Sequence, residues 1–96
     1  MTTIVKKMPA AAVQWEEWLP RRDKDKPYGY SFDLSSAIYI VMRDGNFTYV
    51  VLKDYPDGIV MGLAKRNPGD DPDMPERGER LAAIRAWRML RDLGWQ

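Results

Sequence analysis

Residues 37–53, AIYIVMRDGNFTYVVLK, decide the fold. Asp44-Gly45 stands between two runs of β-branched and aromatic residues, the strongest short-range signal for a β-hairpin, because a type I′ turn needs positive φ at both central positions. A two-residue Asp44-Gly45 loop sets Arg43 opposite Asn46, Met42 opposite Phe47, Ile40 opposite Tyr49 and Ile38 opposite Val51. Alternation then puts Ile38, Ile40, Met42, Phe47, Tyr49 and Val51 on one charge-free face, which is expected to be the core face. The other face carries Tyr39, Val41 and Arg43 against Asn46, Thr48, Val50 and Leu52, apolar enough for a contact of its own.

Working outward, Ile59 to Ala64 is a third strand with Ile59, Met61 and Leu63 alternating, and Gly62 inside it signals a bulge or a close backbone approach. Thr2 to Met8 is an edge strand or a tail. Pro9 followed by AAAVQWEEWL suits a helix of about ten residues, with Ala11, Trp15, Trp18 and Leu19 on one side and Pro20 ending it. So short a helix is stable only if its two Trp are docked. Arg21 to Lys26, RRDKDK, begins an exposed loop over 20–30, and the polar, Pro- and Gly-bearing stretch 65–73 is a second loop. Tyr28, Tyr30 and Phe32 recur every second residue, the pattern of a short strand or of an aromatic arm laid over the sheet.

The C-terminal helix has the clearest signals: Asp73 as N-cap, Pro75 in the first turn, Glu76 completing a capping-box-like pair, and Gly94 past the end with Trp95 set to fold back on Leu90. At 100° per residue, Ala82, Ala86, Met89, Leu90 and Leu93 share one side. The predicted fold class is α+β: a three- or four-stranded antiparallel sheet with a short N-terminal and a longer C-terminal helix on one face. Ninety-six residues allow a single domain, 1–96.

Composition narrows the function. Apolar residues at 45% support a packed interior, and a net charge of +1 gives no bulk attraction to nucleic acid or an anionic membrane. Without Cys or His there is no thiol nucleophile, no disulfide and no imidazole base or ligand. The N-terminal residues lack a signal-peptide apolar core, no apolar run reaches membrane-spanning length, and a cytoplasmic location is expected. No phosphate-cradling loop or nucleophile elbow occurs, so the expectation is a non-enzyme without cofactor or metal.

The binding candidates lie on the C-terminal helix. Arg77, Arg80, Ile84, Arg88 and Arg91 fall on one seam opposite the apolar stripe. Arginine forks match carboxylate and phosphate oxygens, and an isoleucine amid them suits an interface core better than a solvated face. Tyr39, Arg43 and Tyr55 make a second candidate patch. Asp70, Asp71 and Asp73 lack the spacing of a calcium loop and suit the N-terminal end of the helix instead. The basic residues Lys6, Lys7, Arg21, Arg22, Lys24 and Lys26 interleave with Trp15, Trp18, Tyr28 and Tyr30 as in single-strand binders, but four acidic residues in 1–30 dilute them.

The order helix, three antiparallel strands, helix over residues 9–93 resembles the double-stranded RNA-binding module. Such modules carry a lysine cluster at the start of the second helix, where this chain has Asp73, Met74, Pro75 and Glu76. The sheet followed by one helix also resembles the N-terminal arm-binding domains of phage-type integrases. That likeness implies a DNA contact through Tyr39, Arg43, Asn46 and Thr48. The expectation from the residues is a protein-binding domain for an acidic protein surface, an inhibitor or adaptor of the kind phages and mobile elements encode, monomeric or homodimeric. Nucleic-acid binding through the same arginines or the exposed sheet face is the alternative.

Overall fold

In a computed structural model, described for residues 2–21, 36–54, 58–67, 69 and 75–94, the chain is a four-stranded antiparallel meander covered on one face by a long helix. The strands are β1 (Thr3–Pro9), β2 (Ile38–Asp44), β3 (Phe47–Asp54) and β4 (Gly58–Lys65), in that spatial order. A 3-10 turn (Ala10–Ala12) and a one-turn helix, α1 (Trp15–Trp18), follow β1, and α2 (Pro75–Gly94) completes the fold. The α+β class is as expected, and the N-terminal segment is an edge strand rather than a tail.

The β2–β3 hairpin differs from expectation in its loop. Asp44 pairs with Phe47, and Arg43 with Thr48, so the two loop residues are Gly45 and Asn46. Gly45 has φ 59°, and no non-glycine residue described has positive φ, the pattern of a type II′ turn with Gly at its first central position. The register therefore slips by two from the Asp44-Gly45 reading. A slip of two preserves parity, and the residues sharing each face are those expected.

Which face is covered is the reverse of the expectation. Tyr39, Val41, Val50 and Leu52 are fully buried, with Thr48, Val60 and Ala64 beside them, whereas Ile38, Ile59, Met61 and Leu63 are exposed. The reason lies in β4. A Cβ on Gly62 would overlap the Ala82 carbonyl oxygen and come within 2.5 Å of the Ala86 amide nitrogen, so α2 rests directly on the strand backbone there. Gly62 pairs with Val50 and so belongs to the Tyr39 face. The helix can approach closely only on this side.

The buried stripe of α2 is correspondingly Glu79, Ala82, Ala83, Ala86 and Trp87, with Leu90 half-buried. The predicted stripe was displaced toward Met89, which is exposed; seating Ala82 and Ala86 over Gly62 turns Ala83 and Trp87 inward instead. The Leu93 side chain, Asp73 and Trp95 lie outside what is described.

The expected ten-residue N-terminal helix is broken in two. Ala10 N–H donates to the Ala37 carbonyl at 3.0 Å, extending the β1–β2 pairing where a helix would have to begin. Val13 is extended (φ −75°, ψ 147°) and buried, and the Trp15 indole N–H reaches back to the Ala10 carbonyl at 2.7 Å. Trp15 stands edge-on to Tyr39 with centroids 5.8 Å apart and to Trp18 at 6.4 Å. The turn is thus docked through its aromatics, as its length requires, while Ala11 is exposed.

Candidate functional site

Glu79 sits on the face of α2 that turns toward β1 and β2. A carboxylate there is costly unless each oxygen finds a donor. Lys6 Nζ donates to Oε1 and Oε2 at 3.1 Å each, and the Tyr39 hydroxyl donates to Oε2 at 2.9 Å. Lys6 projects to this side because it pairs with Val41, after a bulge at Val5 that resets the alternation of β1. Burial, then the adjacent carboxylate charge and the hydrogen bond to it, drive the Tyr39 phenol well above the usual tyrosine range. The triad ties the first strand to the last helix.

Above this triad lies a cleft of about 430 Å³ lined by Lys6, Gln14, Trp18, Glu76, Arg77, Glu79 and Arg80. Successive α2 turns supply the acidic and basic residues, α1 supplies Trp18, and β1 supplies Lys6. Lys6 and Glu79 neutralise each other at the base. Arg77 and Arg80 are exposed, and among the described residues neither has an ion-pair partner.

The predicted seam divides at this point. Arg77 and Arg80 share the cleft, but Ile84 is half-buried against the chain's own core. Arg88 and Arg91 are half-buried as well; the Arg91 guanidinium lies 5.4 Å from the Trp87 ring centroid and its Nε 3.4 Å from Asp92. The seam is therefore divided: Arg77 and Arg80 are exposed beside the cleft, and Ile84, Arg88 and Arg91 are half-buried farther along α2. Of the second patch, Tyr39 is fully buried and so is no surface contact, Arg43 is half-buried on the helix-covered face, and Tyr55 lies outside the described residues. So do Asp70, Asp71 and Asp73 and most of the loops over 20–30 and 65–73. Among the described residues no cluster of three acidic side chains is placed to hold a metal.

Two features escaped the sequence reading. The Lys6–Glu79–Tyr39 triad joins residues 73 and 40 positions apart, beyond any local pattern. Lys6 had a signal only as part of a diffuse basic group, and Glu79 as one more polar helix residue. The second is the sheet face that no described element covers. Aligned by strand pairing, it holds Met42, Tyr49 and Leu63 in one row, Ile40, Val51 and Met61 in the next, and Ile4, Ile38, Phe47 and Ile59 around them. Lys7, Asp44, Lys53 and Lys65 stand at its margin, with Lys65 5.6 Å from the Phe47 ring centroid.

No helix among the described residues is long and apolar enough to cross a membrane. Comparison with protein-family models, with curated proteins and with solved structures returned no match.

Proposed function

We propose that this chain is a non-enzymatic protein-binding domain, a small inhibitor or adaptor acting in the cytoplasm, that engages an acidic surface of another protein through the cleft bordered by Arg77, Arg80 and Trp18. The observation that carries this reading is the charge arrangement of the cleft. The Lys6 ammonium is engaged by Glu79, so the charge offered to a ligand comes from the two exposed guanidinium groups beside Trp18, offset in part by the exposed Glu76 carboxylate that lines the same cleft. Arg and Trp are the residue types that dominate interface energetics, and guanidinium forks suit carboxylates. The lack of His and Cys, and the engagement of the buried carboxylate by Lys6 and Tyr39, support the non-enzymatic part.

The half-burial of Arg88 and Arg91 leaves Arg77 and Arg80 as the exposed charges of the seam, which supports protein over nucleic acid. Two exposed arginines neutralise about two phosphates, which predicts a log–log salt slope no steeper than about −2. The test is capture from host extract on the immobilised chain, with nuclease-treated and untreated samples eluted in rising salt. A protein ligand is expected whose affinity falls about thirtyfold in Arg77→Glu/Arg80→Glu, corresponding to roughly 2 kcal/mol for two rim contacts. Capture that disappears with nuclease, or that survives the double substitution unchanged, removes the reading.

A further inference from the structure

The sheet face that no described element covers is a second candidate surface. We infer that it binds a second copy of this chain face to face, giving a two-fold symmetric stack in which two sheets meet inside and the α2 helices lie outside. The inference does not depend on the cleft, which lies on the helix-bearing side.

Size is the first argument. Four strands at about 4.8 Å spacing and four cross-strand rows at about 6.8 Å cover roughly 500 Å² in projection. Side-chain relief raises this toward the roughly 800 Å² that each partner gives to a standard interface. Ile59, Met61 and Leu63 are 65%, 46% and 40% exposed, on a face whose central residue, Val51, is already buried by its neighbours.

Self-complementarity is the second. A two-fold axis lying in the interface across the strands sends each row onto its opposite, as an isologous contact requires. The row Met42–Tyr49–Leu63 of one copy then stacks on the row Ile40–Val51–Met61 of the other, bulky side chains against slimmer ones at the centre. The same operation sets Lys53 over Phe47, Lys7 over Ile4, Lys65 over Ile59 and Asp44 over Ile38. No lysine lies directly opposite another, and each can extend its ammonium to the rim. Aligned sheets packed in this way form an ordinary sandwich core.

The edges supply the third. β1 has a bulge at Val5, two lysines and a terminal Pro9, all features that discourage strand addition. On β4, Arg85 Nη1 donates to the Leu63 carbonyl at 2.6 Å, engaging an edge-strand backbone group. Association by sheet extension is discouraged at both edges, which leaves the face.

Sedimentation equilibrium of the full chain from about 1 to 500 µM tests this. The expected result is a mass of two chains, falling to one in Met61→Lys/Leu63→Lys with far-UV circular dichroism unchanged. A single-chain mass for the wild type throughout, or a folded double variant that remains paired, overturns the inference. Should the variant not fold, wild-type protein mixed from labelled and unlabelled copies is examined by isotope-filtered NMR. Contacts between the Tyr49 ring of one copy and Val51 methyls of the other are expected, and a paired chain lacking them overturns the assignment to this face. A chain that stays single yet floats with phosphatidylserine–phosphatidylcholine vesicles would give the face to lipid, which also overturns it.

Discussion

Tyr39 shows how one side chain can be placed by sequence and assigned the wrong role. Its alternation with Val41 and Arg43 was readable, but not the carboxylate 40 residues away that accepts a hydrogen bond from its hydroxyl. Removing that donor in Tyr39→Phe is expected to cost about 2 kcal/mol at neutral pH, as for a hydrogen bond to a charged group. The raised phenol pKa gives the effect a direction with pH. In the unfolded chain tyrosine ionises near pH 10, while the folded phenol keeps its proton, so the stabilisation is complete below about pH 10. Above that it declines by up to about 1.4 kcal/mol per pH unit until the folded phenol itself ionises. Urea unfolding of wild type and Tyr39→Phe at pH 7 and pH 10.5 should therefore show their difference shrinking; parallel loss in both would detach Tyr39 from the effect.

Among the elements, β4 decides the architecture and was half legible. Its strand pattern and the close approach at Gly62 were readable from Ile59, Met61, Leu63 and the glycine itself. That Gly62 would seat α2, and so choose between two apolar hairpin faces, was not, because a pattern of period two identifies faces without saying which is covered. Gly62→Ala is expected to cost about 3 kcal/mol or more, since the obstructing atoms are helix backbone and cannot rotate away. Gly45→Ala, where nothing lies within 4 Å and only the φ of 59° resists, should cost about 1 kcal/mol. Equal denaturation midpoints for the two variants would remove the helix seat as the explanation. The N-terminal helix failed for a related reason: good helix propensity in AAAV lost to continued strand pairing at Ala10.

For the molecule as a whole, the α+β class followed from element order, but the candidate site did not. The arginine seam was drawn for an isolated helix; docking turned Ile84 inward and left Arg77 and Arg80 to meet Trp18 and Lys6 from distant parts of the chain. Paired copies would carry their clefts on opposite outer sides, so a flat surface displaying the partner meets one cleft at a time and a higher display density should add no avidity. Pairing also makes stability depend on protein concentration: a tenfold dilution should lower the thermal midpoint by a few degrees in wild type and leave Met61→Lys/Leu63→Lys unmoved. Differential scanning calorimetry at two concentrations reads this directly, and invariant midpoints for both proteins would count against a two-copy state.

The seating of α2 on Gly62 bears on how the chain is made. During synthesis all four strands precede the helix that covers them, so until Ala82, Ala86 and Trp87 emerge the hairpin has neither layer in place. A ribosome stalled ahead of α2 would display a sheet sticky on both sides, a species prone to coaggregate with its neighbours. Emergence of the twenty residues of α2 is then the step that closes the first of these two faces.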